Sequence, residues 1–120
     1  MPHSQRFQQL AADAKTRIRE VTAQAALEQQ KAGSLLIDVR EADEFAKEHA
    51  QGAIHLSRGT IELHIEKHAP DMTTPIVCYC GGGNRSAFVA DSLQKMGYTN
   101  VVSLIGGFKG WKEQGLPITS

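Results

Sequence analysis

The only two thiols in this 120-residue chain, Cys78 and Cys80, lie two residues apart. They close the apolar run Pro75-Ile76-Val77-Cys78-Tyr79-Cys80, which continues into Gly81-Gly82-Gly83-Asn84-Arg85-Ser86. From Ser86 to about Met96 the apolar spacing is helical. The stretch therefore reads as a strand, a tight loop and a helix N-terminus, with the Cys80 sulfur at the strand's carboxyl end. Glycine adopts positive φ at little cost, so the glycines of this loop allow consecutive backbone N–H groups to turn inward. Inward amides and a helix N-terminus favour an anion, and Arg85 adds a full positive charge. The chemistry these residues imply is a reactive Cys80 thiolate seated in an anion cradle.

The two sulfurs divide by position. Cys78 lies inside the apolar run, where a free cysteine behaves as core; a resolving role against Cys80 would need a strained bridge between near neighbours. A cation at a helix N-terminus opposes the helix dipole, so Arg85 argues for an anion that balances it. Ser86 either caps the helix or donates to the sulfur, with capping preferred, and Asn84 suits the turn because Asn tolerates left-handed backbone. His64 and His68 have the i, i+4 spacing of a metal pair, but no third ligand accompanies them, and they read as a solvated face with no metal.

The elements that must position this loop follow in chain order. Residues 3 to about 17 form a polar helix with a narrow stripe at Phe7, Leu10, Ala11 and Ala14, read as docking on the domain. Ile18–Val21 is a short edge strand, and Thr22 caps a helix through Lys31 ended by Gly33. Leu35-Leu36-Ile37 is a central strand ending in Asp38, followed by a short helix from about Glu41 to Lys47. A brief strand around Ile54 precedes a helix from Arg58 to His68 stopped by Pro70. After the Ser86 helix come a strand at Val101–Leu104, a glycine break at Gly106-Gly107, and a last helix from Phe108 to Gln114, with Trp111 and Phe108 packing it on the sheet. Strands alternate with helices without a hairpin signal. The fold class is α/β: one domain with a central, mostly parallel sheet of about five strands and helices on both faces. The boundaries are a helical extension at 1–17 and the domain proper at 18–120. Asp38 and Cys80 both fall at carboxyl ends of strands, where such sheets gather ligands.

Composition excludes several classes. The chain is 41% hydrophobic and 22% charged with zero formal net charge, so no basic excess points to nucleic acid. No stretch approaches membrane-spanning length and no secretory apolar region is present, which makes a reducing cytoplasm the expected location. Cysteines this close cannot close a long loop, so they are chemistry or core rather than a stabilising disulfide.

Several pieces together resemble the rhodanese (sulfurtransferase) family in its small single-domain form. They are Leu36-Ile37-Asp38-Val39-Arg40 with Glu44-Phe45, then His49 through Gly52-Ala53-Ile54-His55 to Arg58-Gly59, the Cys80–Ser86 loop, Gly97-Tyr98, and Val101 through Gly106-Gly107-Phe108 to Trp111. The match runs from about residue 18 to 118. It implies a catalytic cysteine, matched by Cys80, that carries sulfur as a persulfide. Gly81, Gly82, Gly83, Asn84, Arg85 and Ser86 match the loop that surrounds the sulfur and binds substrate. Asp38 and Arg58 match positions expected to be structural, and a buried pair tying the Asp38 strand end to the Arg58 segment would explain both. His49 and His55 are expected to serve turn or surface hydrogen bonds. The resemblance further implies a small sulfur donor such as thiosulfate, a thiophilic acceptor (cyanide, a thiol or a protein cysteine), and no metal or organic cofactor. Two departures bear on the donor. Tandem-domain thiosulfate sulfurtransferases tend to carry an arginine where Glu44 stands, and the loop here has one cation, Arg85.

The enzymatic rival is a cysteine-dependent phosphatase or arsenate reductase. Those loops place five residues between cysteine and arginine, whereas four separate Cys80 from Arg85. A smaller ring of amides suits a sulfur atom better than a tetrahedral oxyanion. The other rival is a non-catalytic binding module of the same fold, since fold alone does not carry activity; such members usually lack the cysteine.

Overall fold

The computed structural model describes residues 3–120, and residues 1–2 of the N-terminal extension lie outside the described residues. The central sheet has five parallel strands. They are β1 (Arg19–Val21), β2 (Leu35–Asp38), β4 (Ile54–His55), β5 (Ile76–Tyr79) and β6 (Val101–Leu104), in the spatial order β1-β6-β5-β2-β4. The edge position expected for the first strand and the central position of Leu35-Leu36-Ile37 are as found. β5 lies between β6 and β2, and its four residues are all buried.

Alternation along β5 sorts the core into two layers, because successive side chains of a strand point to opposite faces. Ile76, Cys78 and the following Cys80 join Ile37, Val39, Ile61, Ile65, Val89 and Leu93 on one face, against α4 (Ile61–His68) and α5 (Arg85–Lys95). Val77 and Tyr79 join Leu36, Val102, Leu104, Ala23, Ala26, Phe108 and Trp111 on the other, against α2 (Ala23–Lys31) and α6 (Gly107–Glu113). Trp111 is fully buried there, and its Nε1 donates to Pro117 O at 2.8 Å.

Thr22 caps α2, its Oγ1 accepting from Ala25 N at 3.2 Å. The helix expected from Arg58 begins instead at Ile61. Residues 58–60 form a turn, with Thr60 N donating to Ser57 O at 3.0 Å and the Ser57 and Thr60 hydroxyls 3.0 Å apart. Two strands went unforeseen: β3 (His49–Ala50) pairs antiparallel with β7 (Ile118–Thr119) as a separate ribbon. The short helix α3 (Ala42–Lys47) precedes β3.

The N-terminal helix α1 (Gln5–Lys15) starts at Ser4, whose Oγ accepts from Phe7 N at 3.1 Å. It packs against α5. Ala11 and Ala14 are buried and Phe7 is half-buried, but Leu10, expected on the same stripe, is 61% exposed. The contact stripe is therefore i, i+4, i+7 through Phe7, Ala11 and Ala14, and small residues along it let two helices approach closely.

Candidate active site

The Cys80 side chain, 1% exposed, sits where β5 ends and the loop to α5 begins. Its Sγ accepts from Gly83 N at 3.1 Å and lies 3.6 Å from Ser86 Oγ. Of the three loop glycines only Gly83 has positive φ, +105°, so the inward turn rests on that one residue. Gly81 has ordinary φ, and a Cβ there would come within 3.1 Å of Arg85 Nη2, so a larger residue would crowd the guanidinium.

Asn84 is the N-cap residue of α5, with φ −86° rather than the left-handed value its residue type suggested, and no capping hydrogen bond from its side chain. Its Oδ1 accepts instead from Lys15 Nζ at 3.2 Å. Ser86 is not the cap either. It is fully buried in the first turn of α5, between Cys80 Sγ and Ser103 Oγ, the latter 2.8 Å away. Ser103, on β6 and fully buried, extends this to a chain of two hydroxyls that ends at the sulfur. The only sequence signal for Ser103 is a polar residue inside the apolar run Val101–Leu104.

Arg85 is held by a carboxylate. Its Nη1 donates to Glu44 Oε1 at 2.8 Å and its Nη2 to Glu44 Oε2 at 3.2 Å. Glu44 Oε1 also accepts from Glu41 N at 3.0 Å, so the capping box of α3 fixes the carboxylate that fixes the guanidinium. The hydrogen bonds from Arg85 hold the Glu44 carboxyl below its ordinary range, and Glu44 raises Arg85 in return. Burial pushes the neighbouring Cys78 thiol up to about 12, so at neutral pH this sulfur is protonated core.

The loop's opposite wall is the first turn of α6. Phe108 N donates to Cys80 O at 2.7 Å and Lys109 N to Gly81 O at 3.1 Å. Gly107, with φ +55°, lies so close that a Cβ there would run into Cys80 O and come within 2.7 Å of Gly81 C. These contacts hold the loop's carbonyls outward, and with them its peptide planes. Gly107 was expected only to break the chain.

Asp38 and Arg58 are not paired. Asp38, fully buried on the Tyr79 face, accepts from Arg40: backbone N at 2.9 Å, Nε at 3.0 Å and Nη2 at 2.8 Å. Tyr79 OH donates to its Oδ2 at 2.7 Å and accepts from Ala50 N at 3.0 Å. Arg40 Nη2 reaches Glu48 O at 2.8 Å, and its guanidinium lies 4.4 Å from the Phe108 ring centroid. The network ties β2, β5 and β3 to α6 beneath the loop. Arg58 is exposed, its guanidinium 4.5 Å from the ring centroid of Phe88 on α5. Alternation explains the separation, since Asp38 shares the face of Leu36 whereas α5 covers the other. Among the histidines, His49 Nδ1 donates to Phe45 O at 2.8 Å, and His55 Nε2 donates to Arg40 O at 2.7 Å; each acceptor is a carbonyl. His64 and His68 lie on α4, and no group of three His, Cys, Asp or Glu side chains able to hold a metal occurs among the described residues.

A cavity of about 40 Å³ opens on the sulfur, lined by His3, Phe7, Cys80, Gly82, Asn84 and Arg85. A recess of about 450 Å³ opens at the amino ends of the strands between Arg19, Gln29, Pro75 and Asn100, and neither cysteine lines it. No described helix is long and apolar enough to cross a membrane.

A parallel α/β sheet with a thiol at the carboxyl end of its middle strand, cradled by the loop that opens the next helix, defines a rhodanese-type domain. The family model of the rhodanese-like domain matches residues 22–114, and the chain belongs to that family. It is 42% identical over 100 residues to a thiosulfate sulfurtransferase GlpE of Haemophilus influenzae, covering 83% of this chain and 93% of the relative. Among solved structures it resembles a Rhodopseudomonas palustris protein of unknown function described as a possible tyrosine phosphatase (TM-score 0.82, 28% identity, 99% of both chains). It also resembles the polysulfide-sulfur transferase homodimer of Wolinella succinogenes (TM-score 0.79, 29% identity, 94% of this chain and 86% of that one).

Proposed function

We infer that the chain is a sulfurtransferase that carries a sulfane sulfur as a persulfide on Cys80. The observation that carries this reading is the seat of Cys80 Sγ, which takes a backbone hydrogen bond at 3.1 Å from Gly83 within a loop of four residues between Cys80 and Arg85. The Cys80 thiolate attacks the outer sulfur of a donor such as thiosulfate, forming the S–S bond while the donor's S–S bond breaks and sulfite leaves with the electron pair. The persulfide then points its terminal sulfur into the cavity, where the loop amides and Arg85 stabilise the negative charge, while the Ser86 hydroxyl stays behind Cys80 Sγ. A thiophilic acceptor then attacks that sulfur and releases the Cys80 thiolate. The chain's own residues carry both steps. Each turnover needs Cys80 as a free thiol, which a reducing cytoplasm supplies. Residues 18–120 form the catalytic domain and residues 1–17 an extension to it.

Mass spectrometry after incubation with thiosulfate tests the reading. A gain of one sulfur on Cys80, lost on adding cyanide and absent in Cys80→Ser, is expected. Sulfur transfer by Cys80→Ser, or turnover of p-nitrophenyl phosphate without any persulfide, would overturn it.

A further inference from the structure

The family match begins at residue 22, so α1 lies outside it, yet two of the six residues around the Cys80 cavity belong to the N-terminal segment: His3 and Phe7. The Phe7 ring stands between the His3 ring, at a centroid distance of 4.8 Å, and the Phe88 ring, at 5.8 Å. Farther along, the end of α1 and the residues just after it are fastened to α5 and its N-cap by polar contacts. Arg17 Nε and Nη2 donate to Asp91 Oδ1 and Oδ2 at 3.0 and 2.9 Å, Gln94 Nε2 donates to Arg17 O at 2.8 Å, and Lys15 Nζ reaches Asn84. A bidentate pair of this kind fixes orientation as well as distance. With Ala11 and Ala14 buried beneath it, the helix is seated so that Phe7 lines the cavity that opens on the sulfur.

The space left is small. About 40 Å³ accommodates a few water-sized groups, far below the roughly 300 Å³ at which pockets begin to enclose larger ligands. We propose that Phe7 is the specificity-determining residue for the sulfur acceptor: seated on α5, it admits small nucleophiles to Cys80 and excludes cysteines presented on a folded protein surface. The proposal rests on Cys80 as the sulfur carrier for its consequence in transfer, but the access geometry can be measured without transfer.

The experiment compares N-ethylmaleimide with a polyethylene-glycol maleimide on the reduced full chain at pH 8, with labelling rates at each cysteine read by mass spectrometry. Both reagents attack through the same chemistry, so their rate ratio at Cys80 cancels any change in sulfur reactivity and reports size selection alone. Cys78, with its thiol pushed up to about 12 by burial, labels only on unfolding and serves as an internal control. Phe7→Ala should raise the bulky-to-small ratio at Cys80 by about tenfold or more, equivalent to about 1.4 kcal/mol of easier access. Phe7→Trp should lower it. Asp91→Asn, which loosens the Arg17 tether without touching the cavity, should shift it in the same direction as Phe7→Ala. Should Phe7→Ala unfold and label Cys78, the tryptophan and Asp91 variants decide. On sulfur-loaded protein, the rate of transfer to a protein thiol relative to cyanide should follow the same order.

An unchanged ratio in the variants that remain folded would overturn the proposal. A size-dependent ratio on a Cys80 that never takes sulfur would leave Phe7 as the gate and overturn the sulfur-transfer reading. Persulfide formation with no size dependence would do the reverse.

Discussion

Glu44 and Arg85 form a two-pronged ion pair across the rim of the site, with Nη1–Oε1 at 2.8 Å and Nη2–Oε2 at 3.2 Å. The single cation of the Cys80–Ser86 loop is thus neutralised by Glu44. An anionic donor has to be held by backbone amides or has to compete with a carboxylate for Arg85.

Glu44→Gln should therefore lower the KM for thiosulfate by about two- to fivefold, matching the roughly 0.5–1 kcal/mol of a part-exposed pair. The pH dependence follows from the depressed Glu44 carboxyl. A depressed carboxyl keeps its pair intact above the ordinary glutamate range and loses it only as pH falls through the lowered value. The KM difference between the two proteins should accordingly be constant from pH 6 to 9 (ordinary Glu being near 4.3). Steady-state KM measured across that interval checks this, and identical values for the two proteins would refute competition by Glu44.

The hydroxyl chain behind the sulfur makes a second prediction. Ser86 Oγ faces Cys80 Sγ at 3.6 Å and Ser103 Oγ at 2.8 Å, so Ser103 acts on the sulfur only by orienting Ser86. Ser86→Ala should slow single-turnover sulfur loading by about tenfold, the loss of roughly one charge-assisted hydrogen bond. Ser103→Ala should slow it less, and the double variant should be no worse than Ser86→Ala alone, because groups in one chain are not additive.

What the sequence yielded follows the range of the interactions. Alternation and helical spacing are local, so the five parallel strands and the burial of Cys78 could be read directly. β3 and β7 exist only through pairing with each other, His49 with Thr119 and Ala50 with Ile118, a long-range contact that no local period encodes. Partners were harder. Asp38 binds a residue two positions on because the chain bends back at Val39-Arg40, and no periodicity encodes that bend. Ser103 and Gly107 belong to the site through contacts with residues some twenty positions away in sequence. The stripe on α1 was read with Leu10 included, since a helical wheel cannot tell which edge of a stripe its partner covers.

The Asp38–Arg40 pair and the exposed Arg58 separate cleanly in stability. Removing one partner of a buried ion pair leaves an uncompensated charge, at a cost of about 3–5 kcal/mol. Asp38→Ala strands Arg40 in this way and frees the Tyr79 hydroxyl, and should reach that range in urea denaturation. Arg58→Ala loses an exposed contact with the Phe88 ring, worth about 0.5–1 kcal/mol. Equal losses for the two variants would mean that Arg58 shares the Asp38 network after all.

Gly107 offers the sharpest test of how the loop is held. A Cβ at this position would press on Cys80 O and come within 2.7 Å of Gly81 C and O, all of them backbone atoms that cannot swing aside. Gly107→Ala must push the loop away from α6, stretching the bonds from Phe108 N to Cys80 O and from Lys109 N to Gly81 O. Those bonds set the peptide planes around the sulfur, so sulfur loading should fall by about a hundredfold, as when one preorganised donor is lost. Positive φ also penalises the alanine, by about 1 kcal/mol. Gly115→Ala isolates that part, because Gly115 has φ +71° and nothing within 4 Å of its would-be Cβ. The control should be mildly destabilised with normal sulfur loading. A Gly107→Ala protein that loads sulfur as fast as Gly115→Ala would show that the loop keeps its shape without α6.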